Sequence, residues 1–176
     1  MNRRIDPEDF LLPQELDFEN KSYIYGEVFE EDIEKIIEDY NNIESFLDIG
    51  SGCGKLVVHI ANKFKIMSSG VEINSMRHSK SVDLLDKFKA HLYADFTLGT
   101  FENIYFGLYD MIYCCNKVFN EDDNSILFNK LLIEFKGICI IFEHDRNVEI
   151  MKKIKCQKPV RTSWTKNETV YVLDFR

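Results

Sequence analysis

Apolar residues recur along this chain in two alternating rhythms. From Glu27 to Tyr40, "EVFEEDIEKIIEDY" puts Val28, Ile33, Ile36 and Ile37 on one stripe, which predicts an amphipathic helix. The compact run "SFLDIG" predicts a buried strand, and "KLVVHIANKF" returns to helical spacing through Leu56, Val57, Ile60, Ala61 and Phe64. "SGVEI" follows as a second strand, Ser75 to Lys89 as a second helix after the glycines, and "HLYA" as a third strand. "YDMIYCC" predicts a fourth strand, "NSILFNKLLIEF" a helix, "GICIIFE" a fifth strand, and Asn147 to Cys156 one more helix. At the end "PVRTSW" and "ETVYVLDF" predict two strands joined by the turn "TKNE". Residues 1–22 hold Pro7 and Pro13 and no sustained period. They are expected to form an irregular arm or lid, with one domain over residues 23–176.

Strands alternating with helices predict an α/β fold: a doubly wound, mostly parallel sheet with helices on both faces. The closing hairpin must add antiparallel strands, giving seven in all. This single-domain, Rossmann-like arrangement resembles the S-adenosylmethionine-dependent methyltransferases.

Length and charge narrow the reading. A chain of 176 residues that is 45 % hydrophobic has the makings of one ordinary core. It has no apolar run of the roughly 20 residues that a membrane span needs, and "MNRRIDPEDF" lacks the apolar centre of a signal peptide, so an intracellular location is expected. Cys53, Cys114, Cys115, Cys139 and Cys156 are odd in number and contain no C-x-x-C pair. They read as buried small residues, and no metal site is expected. A net charge of −8 brings no counterion-release affinity for a phosphate backbone, so strong nucleic-acid binding is not expected and a basic protein partner fits better. The run "KKIKCQK" reads as a solvated helix face.

The candidate chemistry centres on "FLDIGSGCG" (46–54). Its glycines, Gly50, Gly52 and Gly54, miss the G-x-G-x-x-G spacing of dinucleotide binders, and no Gly-Lys-Ser/Thr follows for a P-loop. Glycines at the end of a first strand let the backbone approach a ligand and take positive φ. A carboxylate there suits an ammonium and a sulfonium, and Asp48 stands two residues before Gly50. Glu72 ends the second strand, where an acid can accept from both ribose hydroxyls. Asp95 and Phe96 follow "HLYA", where an acid can bind an adenine amino group and a ring can stack. Each has a plainer reading: Asp48 as a turn residue, Asp95 as a helix cap.

Six stretches then match a family: "IYGEVF", "FLDIGSGCGKLVVHIA", "SGVEI", "ADF", "MIYCCNKVF" and "SWTKNETVY". In order and spacing the chain, from about Tyr25 to Arg176, resembles the non-SET histone lysine methyltransferases of the disruptor-of-telomeric-silencing type. The resemblance implies S-adenosyl-L-methionine as cofactor, with Tyr25, Gly26 and Glu27 closing over its methionine end. It assigns Asp48, Gly50 and Gly52 to the amino-acid part, Glu72 to the ribose, and Asp95 with Phe96 to the adenine. Asn116 would lie at the end of the fourth strand beside the transferring methyl, and Trp164 and Tyr171 would wall the channel for the target lysine. By residue pattern alone, Asn116 is equally a loop cap, Trp164 a core residue and Tyr171 ordinary strand alternation. The chain departs from the family at Cys115-Asn116-Lys117, where Asn-Asn-Phe is usual. The expected function is protein-lysine N-methylation of a histone or nucleosome, placing the protein in the nucleus. The alternatives are a small-molecule or other non-histone substrate, or an inactive cofactor-binding regulatory subunit; a non-histone substrate would place it in the cytoplasm.

Overall fold

The computed structural model describes residues 26–144 and 147–176. Tyr25 and the expected arm over residues 1–22 lie outside them. In chain order the elements are α1 (Glu30–Glu38), β1 (Ser45–Ile49), α2 (Lys55–Phe64), β2 (Met67–Glu72), α3 (Ser75–Phe88) and β3 (Ala94–Leu98). There follow β4 (Met111–Cys114), α4 (Glu121–Glu134), β5 (Ile138–Ile141), α5 (Val148–Met151), β6 (Ile154–Val160) and β7 (Glu168–Asp174). The strands form one sheet in the order β3-β2-β1-β4-β5-β7-β6. The pairs β1–β2, β2–β3, β1–β4 and β4–β5 are parallel, and β7 is antiparallel to both β5 and β6. This is the expected doubly wound sheet closed by an antiparallel hairpin.

Alternation within the strands divides the core between the two faces. Phe46, Met111, Tyr113, Ile138, Ile140 and Val172 pack with the apolar stripe of α1 and with Leu56 and Ile60 of α2. Leu47, Ile49, Ile112, Cys139 and Ile141 pack on the opposite face with Leu127, Phe128 and Leu131 of α4. The chain leaves β1 for α2 on one face and β4 for α4 on the other, so a crevice opens where the strand order reverses.

Three elements differ from expectation. "HLYA" is a turn in which the Ala90 carbonyl accepts from the Tyr93 and Ala94 amides at 3.0 and 2.9 Å, and Leu92 is exposed. The strand begins only at Ala94. The last helix is one turn, and Ile154–Cys156 belong to β6. "KKIKCQK" runs into that edge strand, where Ile154, Cys156 and Lys158 are half-buried and Lys155, Gln157 and Pro159 exposed. Lysines and a proline on an outer strand blunt its free edge against further pairing. The hairpin connection is therefore residues 161–167, longer than "TKNE". Finally, α1 starts at Glu30, because the stretch before it pairs with that connection: Val28 bridges Thr162, and the Phe29 amide donates to the Arg161 carbonyl at 3.0 Å.

Candidate active site

The crevice holds a cavity of ≈ 820 Å³, a volume ample for a small-molecule ligand. Its floor is the turn after β1. Gly50, Gly52 and Gly54 have φ of 75°, 55° and 82°, a left-handed conformation that side-chain-bearing residues rarely adopt. The Gly50 and Ser51 amides both donate to the Val71 carbonyl, at 2.9 and 3.0 Å, which ties the turn to the end of β2. A Cβ on Gly54 would fall 2.3 Å from Phe96 Cζ, so this glycine is also required by packing.

Asp48 and Glu72 are both buried and both line the cavity. Glu72 Oε2 accepts from the Gly52 amide and Oε1 from the Asn74 amide, each at 2.8 Å. Each oxygen keeps a lone pair for a further donor. Burial, and then the charge of Glu72, push the Asp48 carboxyl up to about 8. A buried acid raised in this way regains its ordinary ionisation beside a positive partner or hydrogen-bond donors, and a cationic ligand supplies both. Ser51, in the same wall, has a buried hydroxyl without a partner among the described residues. Two carboxylates, an unpartnered hydroxyl and a glycine-lined floor fit a ligand that carries both a positive centre and hydroxyls, as S-adenosyl-L-methionine does.

The opposite wall is assembled from sequence-distant pieces. Gly26, Glu27, Ser163 and Trp164 line it together. The Glu27 amide donates to Ser163 Oγ at 3.1 Å, and the Ser163 amide to the Glu27 carbonyl at 2.8 Å. A Cβ on Gly26 would lie 2.4 Å from the Trp164 ring, so any larger residue there would push the ring out of its present place. Arg161 fastens this wall to α1: its Nε and Nη2 donate to the two Asp32 oxygens at 2.8 and 2.9 Å. That fork holds the Asp32 carboxyl well below the usual carboxylate range. Lys55, the first residue of α2, reaches back to Glu30 at 3.0 Å and Glu27 at 3.5 Å, joining the glycine turn to the same wall.

The family model described as "Histone methylation protein DOT1" matches residues 13–154. The chain belongs to this family. Solved structures share the fold: an RNA methyltransferase from Salinibacter ruber, bound to S-adenosyl-L-homocysteine, has a TM-score of 0.66 at 15 % identity, covering 81 % of this chain and 89 % of that one. A TehB-like SAM-dependent methyltransferase from Corynebacterium glutamicum has a TM-score of 0.60 at 12 % identity, with 85 % and 89 % covered. An O-methyltransferase of a Brevibacillus brevis multienzyme has a TM-score of 0.53 at 22 % identity, with 68 % and 48 % covered. No match was found among curated proteins. By family and by fold this DOT1-family chain is a class I S-adenosylmethionine-dependent methyltransferase.

Within this DOT1-family site the expected residues fall into three groups. Gly26, Glu27, Asp48, Gly50, Glu72 and Trp164 stand in the cavity wall, and Gly52 lies beneath it through its bond to Glu72. Asp95 and Phe96 do not reach the cavity. They lie inside β3, the former exposed and the latter packed over Gly54 and Gly70. Because the strand starts and ends later than expected, its cavity-facing end is Gly99, Thr100, Phe101 and Glu102.

Asn116 is also turned away. It is fully buried in a 3₁₀ turn, with Oδ1 accepting from the Phe142 and Glu143 amides, both at 3.0 Å. Its Nδ2 donates to Asn124 Oδ1 and to the Glu143 carbonyl, both at 2.7 Å. The amide is spent on joining the ends of β4 and β5 to α4, and Cys115 takes the place at the cavity. Tyr171 lies beyond the main cavity, in β7, with its ring edge-on to His144 at 4.4 Å. Sequence reading also passed over Lys55, Arg77 and Ser51 in the wall. Lys55 carried one signal, being the first residue after the last glycine of the turn.

Proposed function

We propose that this protein transfers a methyl group from S-adenosyl-L-methionine to a lysine side-chain amine of a protein, with a histone as the acceptor. The family match over residues 13–154 carries this reading, because it joins the cation-seeking carboxylates to a histone-methylating lineage. The cofactor supplies an electrophilic methyl group on a sulfonium.

The residues of the chain bind, orient and exclude water. Asp48 is the partner for the positive amino-acid end, and Glu72 for the ribose hydroxyls. Thr100, Phe101 and Glu102, at the far end of β3, are the residues positioned to hold the base. Trp164 presents an aromatic wall opposite them, which tolerates a methylated ammonium while offering a bare amine less water than bulk solvent does. Holding two reactants in line in such a cleft lowers the barrier by several kcal/mol. Asn116 takes no part in contacting the amine, and its role is to hold the strand end that carries Cys115. A net charge of −8 favours a basic acceptor such as a histone tail. A histone acceptor places the protein with chromatin.

The test supplies the protein with methyl-labelled S-adenosyl-L-methionine and, in parallel, nucleosomes, free core histones and a whole-cell lysate. Label on a histone lysine is the expected result. Label on a non-histone protein alone would discard the histone, and label confined to small molecules would discard the protein-lysine reading.

A further inference from the structure

Beside the main cavity lies a second recess of ≈ 330 Å³, walled by Lys117, Glu143, His144, Glu168 and Tyr171 among others. Lys117 stands in the walls of both spaces. Its Nζ is 3.1 Å from Glu168 Oε2 and 3.8 Å from Glu143 Oε1. The Trp164 indole, in the main cavity wall, donates to the same Glu168 oxygen at 3.1 Å. Thus a strut of Lys117, Glu168 and Trp164 separates the two spaces. We infer that the recess is a primary-ammonium site and that Lys117 is its resident occupant, closing the passage until an incoming amine side chain takes over Glu168 and Glu143. As applied to catalysis, this rests on the lysine-methylating function proposed above; the ammonium site itself does not.

The chemistry of the recess is legible from what already fills it. Among the described lining residues two carboxylates, Glu168 and Glu143, face one ammonium, so carboxylates outnumber ammonium groups when Lys117 is in place. The contacts come from single oxygens of two different residues. That suits a tetrahedral ammonium with diverging donors, whereas a planar guanidinium prefers both oxygens of one carboxylate. The Trp164 hydrogen bond, then the Thr169 amide and the Lys117 contact, hold the Glu168 carboxyl below its ordinary value against the opposing effect of burial, keeping it ionised. Tyr171 and His144 close the far side with ring surface. The Lys117 side chain is 33 % exposed, that of Glu143 55 % and that of Glu168 20 %, and ion pairs this open to solvent are modest in strength. Exchange of one ammonium for another is therefore nearly even, which is what a gate needs. Movement at Glu168 also reaches the main cavity, because the indole it holds packs against Gly26 at the rim.

Trp164 is the single tryptophan of the chain, so its fluorescence reads the strut directly. The experiment titrates n-butylammonium chloride into the whole protein, with n-butanol and n-butylguanidinium as comparisons. Lys117→Met is expected to bind n-butylammonium about threefold more tightly than the natural chain, the change that follows from removing one weak competing ion pair. Lys117→Gln is expected to show the same gain, which guards against a folding defect in either variant. Adding Glu168→Gln to Lys117→Met is expected to remove the gain, and n-butanol to produce no response. Equal affinity in the natural chain and both Lys117 variants would overturn the inference. So would a gain that survives Glu168→Gln, or a guanidinium bound as well as the ammonium. Binding of S-adenosyl-L-methionine to the natural chain is measured separately. Its absence would sink the methyltransferase function and leave the ammonium site standing, whereas its presence with no gain in either variant would do the reverse.

Discussion

At the carboxyl ends of β1 and β2 the cavity wall is backbone held by neighbouring backbone and one carboxylate. The amides of Gly50, Ser51 and Gly52 are all committed within some 20 residues of sequence, to Val71 and Glu72. At the ends of β4 and β7 the wall is side chains brought from far apart. Trp164 meets Gly26, Asn116 clamps Phe142 and Glu143, and Arg161 grips Asp32 across 129 positions. The first region resists change because its conformation is left-handed and crowded. The second is adjustable at Lys117 and Trp164, where partly exposed ion pairs and one indole hydrogen bond set its shape. A cofactor common to a whole class needs the first kind of wall, and an acceptor that differs between members needs the second.

The largest effect expected on the rigid side is at Gly54. Gly54→Ala puts a methyl group against Phe96 and Ser81 in a strained conformation and should cost about 3–5 kcal/mol, read by urea unfolding. Gly50→Ala, with open space around its Cβ, should cost only about 1 kcal/mol while weakening cofactor binding, because its methyl enters the cavity. Equal losses of stability would erase the distinction between packing and ligand approach in this turn.

In the same region, Asn116→Ala takes away the partner of one buried backbone group, the Phe142 amide, and of two partly buried ones on Glu143, and should cost about 2–3 kcal/mol. Loss of methyl transfer should then track loss of folded protein, measured on the same samples by circular dichroism. A variant that stays fully folded but loses transfer would return Asn116 to the reacting centre.

A smaller, pH-dependent effect belongs to Asp48. Its carboxyl is raised to about 8 in the fold from 3.8, so the folded protein holds a proton that the unfolded chain has lost. Stability therefore falls as pH rises between those two values. Asp48→Asn should stabilise the cofactor-free protein by roughly 2–3 kcal/mol at pH 8.5 and progressively less toward pH 4, as thermal melts across that range would register. A gain independent of pH would show that Asp48 does not titrate in this way.

The rigid region was the legible one. Local spacing alone marks Asp48, the three glycines and Glu72, because each stands at or just beyond the end of a strand whose apolar run is plain in the sequence. The adjustable region was hidden for a physical reason. Which side of a strand end turns inward depends on the turn that follows, so Asn116 and Cys115 could not be told apart by pattern. Asp95 and Phe96 were misplaced because two apolar residues in "HLYA" suggested a strand where the chain only turns. The lysine-rich "KKIKCQK" suggested a helix face, yet its alternation of period two belongs to the edge strand β6. The fold class survived these slips, since the strand count and the change from parallel to antiparallel pairing rest on the whole alternation.

The central claim is that a cationic cofactor is held by the buried Asp48–Glu72 pair, and calorimetry tests it most directly. S-adenosyl-L-methionine is titrated into the protein at pH 7 in two buffers of different ionisation enthalpy. The account predicts binding at one site with release of close to one proton, and neither tight binding nor proton release in Asp48→Asn. Binding with no proton release, or undiminished binding by Asp48→Asn, would contradict it.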